Sequence, residues 1–400
     1  MKHKVGLLAA LVVTLPFVAA QATAGGNSGV ILITSDSGFK TCGCVSSGNG
    51  SVKSPYVIGP LTIDSDGTPA VSISGTTADF DLDHITVHTT GKADGIVLNN
   101  VTGPASITKV NIDTPGAKAF TGVGGGIALL DSSGVTINGD SINTEGNWGI
   151  RVVGGSSNEI KFMTVAHAGL TTPASNSTGS LSMQENPFIT GITGDAPGGV
   201  LLKNTWYNDV HDNLLNEDAY AGVELVGGGR NTLQKIVVRY PDYFGVAVQS
   251  STGNTLDNLS LQTADFDGLL VRASNNNIIT NSTFSANGPI GNEWNANVVP
   301  YALAGAYVGW GSSGNSFRSD SGNFGNTGPD LVFDDGNLLT SAGFTIHGIL
   351  QTAQPLNQFS TYSTLGVASV AVGSGNVACG NSFAAGYWYP SSLNANSPCP

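Results

Sequence analysis

GVELVGGGRNTLQKIVVRYPDYF (Gly222–Phe244), GVAVQSSTGNTLDNLSLQTADFD (Gly245–Asp267) and GLLVRASNNNIITNSTFSANGPI (Gly268–Ile290) run head to tail, each 23 residues long. In each, an aliphatic residue falls one and three places after the glycine. Two more apolar residues fall eleven and sixteen places after it: Leu233 and Val238, Leu256 and Leu261, Ile279 and Phe284. The alternation in Val223-Glu224-Leu225 has period two, which is a strand with one face inward. Helical spacing is absent, and polar turns separate runs of about three to five residues.

The same glycine–aliphatic pair recurs as Gly126-Ile127, Gly149-Ile150 and Gly199-Val200, at steps of 23, then 50, then 23 to Gly222. The 50 is one repeat plus an inserted 27. A fixed period of this length means a solenoid. Nine places after the glycine stands Asn158, Asn208, Asn231, Asn254 and Asn277 in successive units. Stacked coils lie about 4.8 Å apart, close enough for these amides to hydrogen-bond in a ladder. The alternative is a plain turn preference of asparagine; either way these residues belong to the scaffold. Weaker coils begin at Asp94-Gly95-Ile96, Gly305-Ala306-Tyr307 and Asp330-Leu331-Val332. The expected fold is all-β: a parallel β-helix of about ten coils of ~23 residues.

Residues 1–24 read as a signal peptide: a basic start, an apolar run from Val5 to Ala20, and the small-residue site Ala22-Thr23-Ala24. No later stretch reaches the ~20 apolar residues that a membrane span needs. The reading is an exported chain, in periplasm or medium, without membrane insertion. Lys and Arg number 15 against 28 Asp and Glu, a net charge of −13, which argues against nucleic acid and anionic membrane surfaces as partners. Residues 25–57 are expected to cap one end of a helix over 58–350, and 351–400 the other. Of four cysteines, Cys379 and Cys399 are favoured as a disulfide, while Cys42 and Cys44 stand too close in sequence for comfortable pairing. Nothing in the sequence sets an oligomeric state.

Gly48-Asn49-Gly50 followed by Pro55-Tyr56-Val57-Ile58, with the recurring Gly-Ile/Val and Asn-x-Leu pattern, resembles the right-handed parallel β-helix superfamily. That group holds the pectate-lyase-like proteins and the carbohydrate-binding and sugar-hydrolase-like repeats. The resemblance covers most of residues 48–350. It implies a right-handed helix, and a function hosted on its surface rather than given by the fold. The Gly-His-Gly of polygalacturonase-like enzymes and the Asp-Pro-His of alginate epimerases are missing.

The period breaks near 114–123, 168–197 and 287–301, always before the next coil's glycine. Insertions at one turn position would wall a lateral trough suited to a linear polymer. Between the walls, the turns carry Asp218 and Tyr220, then Arg239, Tyr240, Asp242 and Tyr243, then Asp265 and Asp267; Trp294 lies in the third insertion. Sugar rings stack on exposed aromatics, so Tyr220, Tyr240, Tyr243 and Trp294 are the expected substrate-binding residues. Carboxylates on adjacent coils would lie about 5 Å apart, which suits a retaining glycosidase pair. Asp242 and Asp265 are the first catalytic candidates, with Asp218 and Asp267 next. Arg239 would hold an acidic sugar or serve a lyase.

The leading expectation is a protein that binds, and possibly cleaves, a polysaccharide as lyase or glycoside hydrolase. Turn aspartates also cap backbone donors, and a non-catalytic adhesion or scaffold protein is the alternative. Asp265-x-Asp267-Gly268 admits Ca²⁺ as a ligand. A periplasmic copper-accessory role is the third reading. It would need His84 and His88 on one strand face, with Met163 and Met183 as the remaining soft donors.

Overall fold

The computed structural model describes residues 29–90, 93–114, 124–144, 147–168, 198–216, 221–241, 244–264, 267–285, 287, 304–309, 311–323, 330–333, 374–383, 388–389 and 397–399. They form a right-handed parallel β-helix of three sheets, two of twelve strands and one of ten. A coil contributes one strand to each sheet. The coil of Gly222 supplies Ala221–Val226 to sheet 1, Thr232–Gln234 to sheet 2 and Val237–Arg239 to sheet 3. Ten strands of sheet 1, from Val71–Thr76 to Leu331–Phe333, stack in consecutive coils.

Register holds across coils: Val223 pairs with Val246, Leu233 with Leu256, and Val238 with Leu261. The apolar residues one, three, eleven and sixteen places after each glycine therefore stack like on like. In the coils of Gly222, Gly245 and Gly268 all of them are fully buried. Burying each such side chain contributes roughly 1.5–3 kcal/mol before the entropy of ordering is counted. The coil glycine is required by close approach. A Cβ on Gly222 would lie 2.4 Å from a Val238 methyl.

The asparagine ladder forms. Asn158, Asn208, Asn231 and Asn254 each donate Nδ2 to the next Oδ1, at 3.1, 2.8, 3.2 and 2.8 Å, ending on Asn277. It continues through Asn277 to Asn315 and on to Asn376, at 2.9 and 3.0 Å. Each Oδ1 also accepts the backbone N–H of the preceding asparagine, as Asn231 does from Asn208 at 3.0 Å. A buried corner thus has its donors matched coil by coil.

Three expectations need correction. Cys42 and Cys44 are bonded, with Cα atoms 5.2 Å apart, because Gly43 between them takes a left-handed φ of 67° that turns both side chains to one side. Cys379 and Cys399 are bonded as expected. His84 and His88 do not share a strand: His84 sits at a corner with φ 56°, and only His88 lies within Ile85–Thr90. Glu224, read as the outward half of an alternation, is fully buried, with Gln249 Nε2 donating to its Oε1 at 2.6 Å. Its neighbours in the row on the outer face of sheet 1, Leu201, Ala247, Leu270 and Tyr307, are buried too, while Arg151 further along the row is half-buried.

At the N-terminal side, Phe39 in the short helix Gly38–Thr41 stacks on Tyr56 at 4.8 Å and meets Phe80 at 5.3 Å. Near the C-terminus, Val377–Cys379 joins sheet 2 and Trp388–Tyr389 joins sheet 1, so these segments lengthen the stack.

Candidate functional site

The corners of each coil are turned by single residues in the left-handed region. They recur five, eight, thirteen and eighteen places after the coil glycine: Gly227, Arg230, Lys235 and Tyr240 in one coil, and Ser250, Gly253, Asn258 and Thr263 in the next. Glycine and asparagine take this conformation readily; other L-residues pay about 1 kcal/mol or more. Phe162, Tyr207 and Tyr240 nonetheless hold such corners, with φ of 54°, 59° and 55°. They are 57%, 54% and 54% exposed, so burial offsets little of the strain. Trp206, 40% exposed, adjoins Tyr207. A strained aromatic with its face in water points to a surface kept for contact.

These residues decorate the coils of Gly149, Gly199 and Gly222. Arg230 stacks 5.6 Å from the Tyr207 ring centroid, and its Nη1 donates to the Tyr207 hydroxyl. Phe162 meets His211 edge-on at 5.9 Å. A chain of alternating charges crosses sheet 2. Lys161 Nζ lies 2.7 Å from Glu159 Oε2, and Glu159 Oε1 lies 3.2 Å from His211 Nε2. His211 Nδ1 lies 2.8 Å from Asp212 Oδ2, and Asp212 Oδ1 lies 3.8 Å from Lys235 Nζ. Partial burial pulls the His211 imidazole down. The hydrogen bonds to Asp212 and Glu159 and the nearby charges of Asp209 and Asp212 outweigh it, so the ring sits above the usual histidine value. Lys161, aided by His211, holds the Glu159 carboxyl below its usual range.

Where sheet 2 turns into sheet 3, a shallow groove of about 580 Å³ opens to solvent. Its rim is the corner residues Phe162, Asp212 and Lys235. Its floor is the registered outward row Thr164, Leu214 and Val237, and Arg239 lies at its end. Floor and rim span three coils, which suits an extended ligand better than a compact one.

Of the residues picked out in the sequence, Arg239 lines this groove and Tyr240 follows it. Asp267 is elsewhere: it is fully buried and accepts the Ala304 N–H at 2.8 Å, which ties one coil to the next. Asp218, Asp242, Asp265, Tyr220, Tyr243 and Trp294 lie outside the described residues, as do the three insertions and the leader. The period carries a signal that pattern reading missed. Thirteen places after the glycine, Asn258 and Asn281 give way to Phe162, Asp212 and Lys235.

The family model of the periplasmic copper-binding protein NosD matches residues 71–256 and 181–299. Together these matches cover more than half of the chain, and the chain belongs to that family. No curated protein matches the sequence. Among solved structures, the Azotobacter vinelandii mannuronan C-5 epimerase AlgE6 A-module is 12% identical, with 82% of each chain covered and a TM-score of 0.46. The DFA-IIIase of Arthrobacter chlorophenolicus is 11% identical, with 80% of this chain and 77% of that one covered and a TM-score of 0.44. Dettilon tailspike protein is 12% identical, with 74% of this chain covered and a TM-score of 0.43; this chain spans 60% of its length.

The family implies copper, and the donors among the described residues do not fit it. All four cysteines are in disulfides, and Met163 is buried. Glu159 and Asp212 bind opposite nitrogens of His211, so the three do not converge on a point. Among the described residues no group of three His, Cys, Asp or Glu is placed to hold a metal ion.

Proposed function

We propose that this protein acts outside the cytoplasm and holds a glycan chain against the outer surface of the coils of Gly149, Gly199 and Gly222. The observation that carries the reading is three exposed aromatics at left-handed corners, Tyr207 before sheet 2, Phe162 between sheets 2 and 3 and Tyr240 after sheet 3, where sister coils place only glycine, polar or charged residues. Sugar rings offer apolar faces to such aromatics and hydroxyls to the surrounding carboxylates and amides. The catalytic candidates for cleavage are Asp242 and Asp265, which lie outside the described residues. The family's periplasmic description agrees with export. No described helix is long and apolar enough to cross a membrane.

Replacing Phe162, Tyr207 or Tyr240 by Asn tests this against a polysaccharide panel, with binding and sugar release both scored. Each variant is expected to bind about tenfold more weakly, roughly 1.4 kcal/mol, while folding at least as stably as the parent. Loss of stability together with unchanged binding would make these rings structural. Family membership favours copper as a second reading. Tight copper uptake by the purified full-length protein would establish it and would place the ligands outside the described donor set.

A further inference from the structure

We propose that the groove between sheets 2 and 3 selects an anionic glycan, a chain of carboxylate-bearing sugars, and that Lys235 and Arg239 read its charge. This rests on the glycan reading and adds the ligand's charge to it.

The chain as a whole is acidic, with 28 carboxylates to 15 bases, so a groove lined by two cations, Lys235 and Arg239, and one carboxylate, Asp212, runs against its average. Neither cation is tightly engaged. Arg239 is exposed at the end of its strand and makes no ion pair among the described residues. Lys235 is 3.8 Å from Asp212, a long contact. Asp212 is committed elsewhere, to His211 at 2.8 Å, and His211 is in turn held by Glu159. The other carboxylate near Lys235 is Asp257, which is occupied by hydrogen bonds from Gln234, Thr280 and Asn281. Asp212 is thus shared between His211 and a long contact to Lys235, Asp257 is held by other partners, and both cations are exposed to solvent.

The floor argues for a sugar rather than a bare anion. Leu214 and Val237 stand in register on the outward face, with Phe162 above them. A phosphate or sulfate ion gains nothing from that apolar surface. A carboxylated sugar uses both parts, laying its C–H face on the floor and its charge on the guanidinium and ammonium. Arg suits the planar carboxylate through two parallel N–H donors, and Lys acts as a point charge.

The experiment titrates the full-length protein with polygalacturonate and, separately, with its methyl ester at matched length, in low salt and in 0.5 M salt (about a 4 Å screening length). Polygalacturonate is expected to bind at least tenfold tighter than the ester in low salt, with the ratio shrinking in high salt. Lys235→Gln and Arg239→Gln should each lower the ratio, and the double variant should bring it near one. Arg239→Lys should restore part of it. Both side chains are exposed, and circular dichroism verifies the fold. Equal binding of acid and ester by the parent overturns the charge assignment and leaves the glycan reading standing. A ratio unmoved in the double variant overturns the assignment to these two residues. Absence of binding to either polymer, extended to the neutral panel, overturns both.

Discussion

Two corners of the same solenoid are built differently. Between sheets 1 and 2 every coil from Asn158 to Asn277 places an asparagine, and the line continues to Asn315 and Asn376. Between sheets 2 and 3 the equivalent slot holds Asp140, Met163, Asn213, Ile236, Leu259, Ser282 and Asp320 in successive coils. The first corner links each amide to the coils on both sides. At the second, a polar residue accepts one backbone N–H from the coil before it, as Asn213 does from Met163, while Ile236 and Leu259 offer no such acceptor. Inside, a corner locked by identical side chains has no room to vary, and only its outer turn changes, carrying Tyr207 and Arg230. The other has room, and its outside carries Phe162, Asp212, Lys235 and the groove.

The sharpest way to break this contrast is to cut each corner once. Asn231→Leu removes the acceptor of both the Asn208 N–H and the Asn208 Nδ2, and the donors to Asn254 and Thr205. Several buried polar groups lose partners, and the loss of stability is expected to be on the order of 3 kcal/mol or more. Asn213→Leu strands only the Met163 N–H and the Ile160 carbonyl, and about half that loss is expected. Urea unfolding of both variants measures the difference. Equal losses would mean that the ladder adds nothing beyond its separate bonds.

Next in size is a pH effect confined to the second corner. Burial pushes the Asp140 carboxyl up to about 8 and Asp320 to about 7. Asp140 Oδ1 accepts the Val110 N–H and Asp320 Oδ1 accepts the Ser282 N–H. In the matching slots the Nδ2 of Asn213 and of Asn381 donates to the carbonyl of Ile160 and of Phe317. Each acid matches the asparagines as acceptor, while its Oδ2 is buried without a hydrogen-bond partner, which favours the protonated form. Both values are raised above the unfolded value, so the native state holds more protons and stability falls as pH rises from about 4 toward 8. The slope is up to about 1.4 kcal/mol per pH unit for each acid. Asp140→Asn should flatten its share, with a gain over the parent that grows from pH 5 to pH 8. A gain that did not change with pH would remove the protonated-acid assignment.

The first corner was legible in the sequence because it repeats. The glycine period, the stacked aliphatics and the asparagine phase all survive in the structure residue by residue. Of the groove and its edge, Arg239 and Tyr240 were legible, because the sequence concentrates its charges and aromatics in the turn that precedes each glycine. Asp267 looked like a surface turn aspartate, yet it is buried and bonded to the Ala304 N–H. Phe162, Tyr207 and Lys235 keep the period perfectly. What sets them apart is a large or charged side chain on a left-handed corner, and a linear sequence does not show which residue of a polar turn takes that conformation. Glu224 shows the opposite limit: its alternation was real, but nothing in Val223-Glu224-Leu225 says that both faces of this strand are buried.

Those corner aromatics give a smaller effect with an unusual sign. Asn is favoured at φ near +55°, so Phe162→Asn and Tyr207→Asn should gain up to about 1 kcal/mol of stability while losing glycan affinity. The reverse change, Asn258→Phe, puts an aromatic on a corner outside the groove and should lose a similar amount with no change in binding. Thermal melts beside binding isotherms measure the three together. A stability loss in Phe162→Asn would show that its contact with His211 outweighs the backbone strain.

The smallest expected effect lies in the charge chain between the two corners. His211 sits above its usual value, so its contribution to stability is fully present below about 6.5 and is lost as pH rises through the folded value. Glu159 sits below its usual value, so its contribution is present above about 4.3 and is lost as pH falls through the folded value. The pair therefore contributes most between those limits, near pH 5 to 6. The groups are partly exposed, which holds the gain to less than about 1 kcal/mol. His211→Gln should be destabilised relative to the parent at pH 5.5 and nearly matched to it at pH 8.5. His211→Gln should also free Asp212 to approach Lys235, so anion binding in the groove should weaken at pH 5.5 as well. If stability shifts with pH as stated but anion affinity does not, His211 only braces the corner. If both shift, it also keeps Asp212 away from the cation that the groove presents.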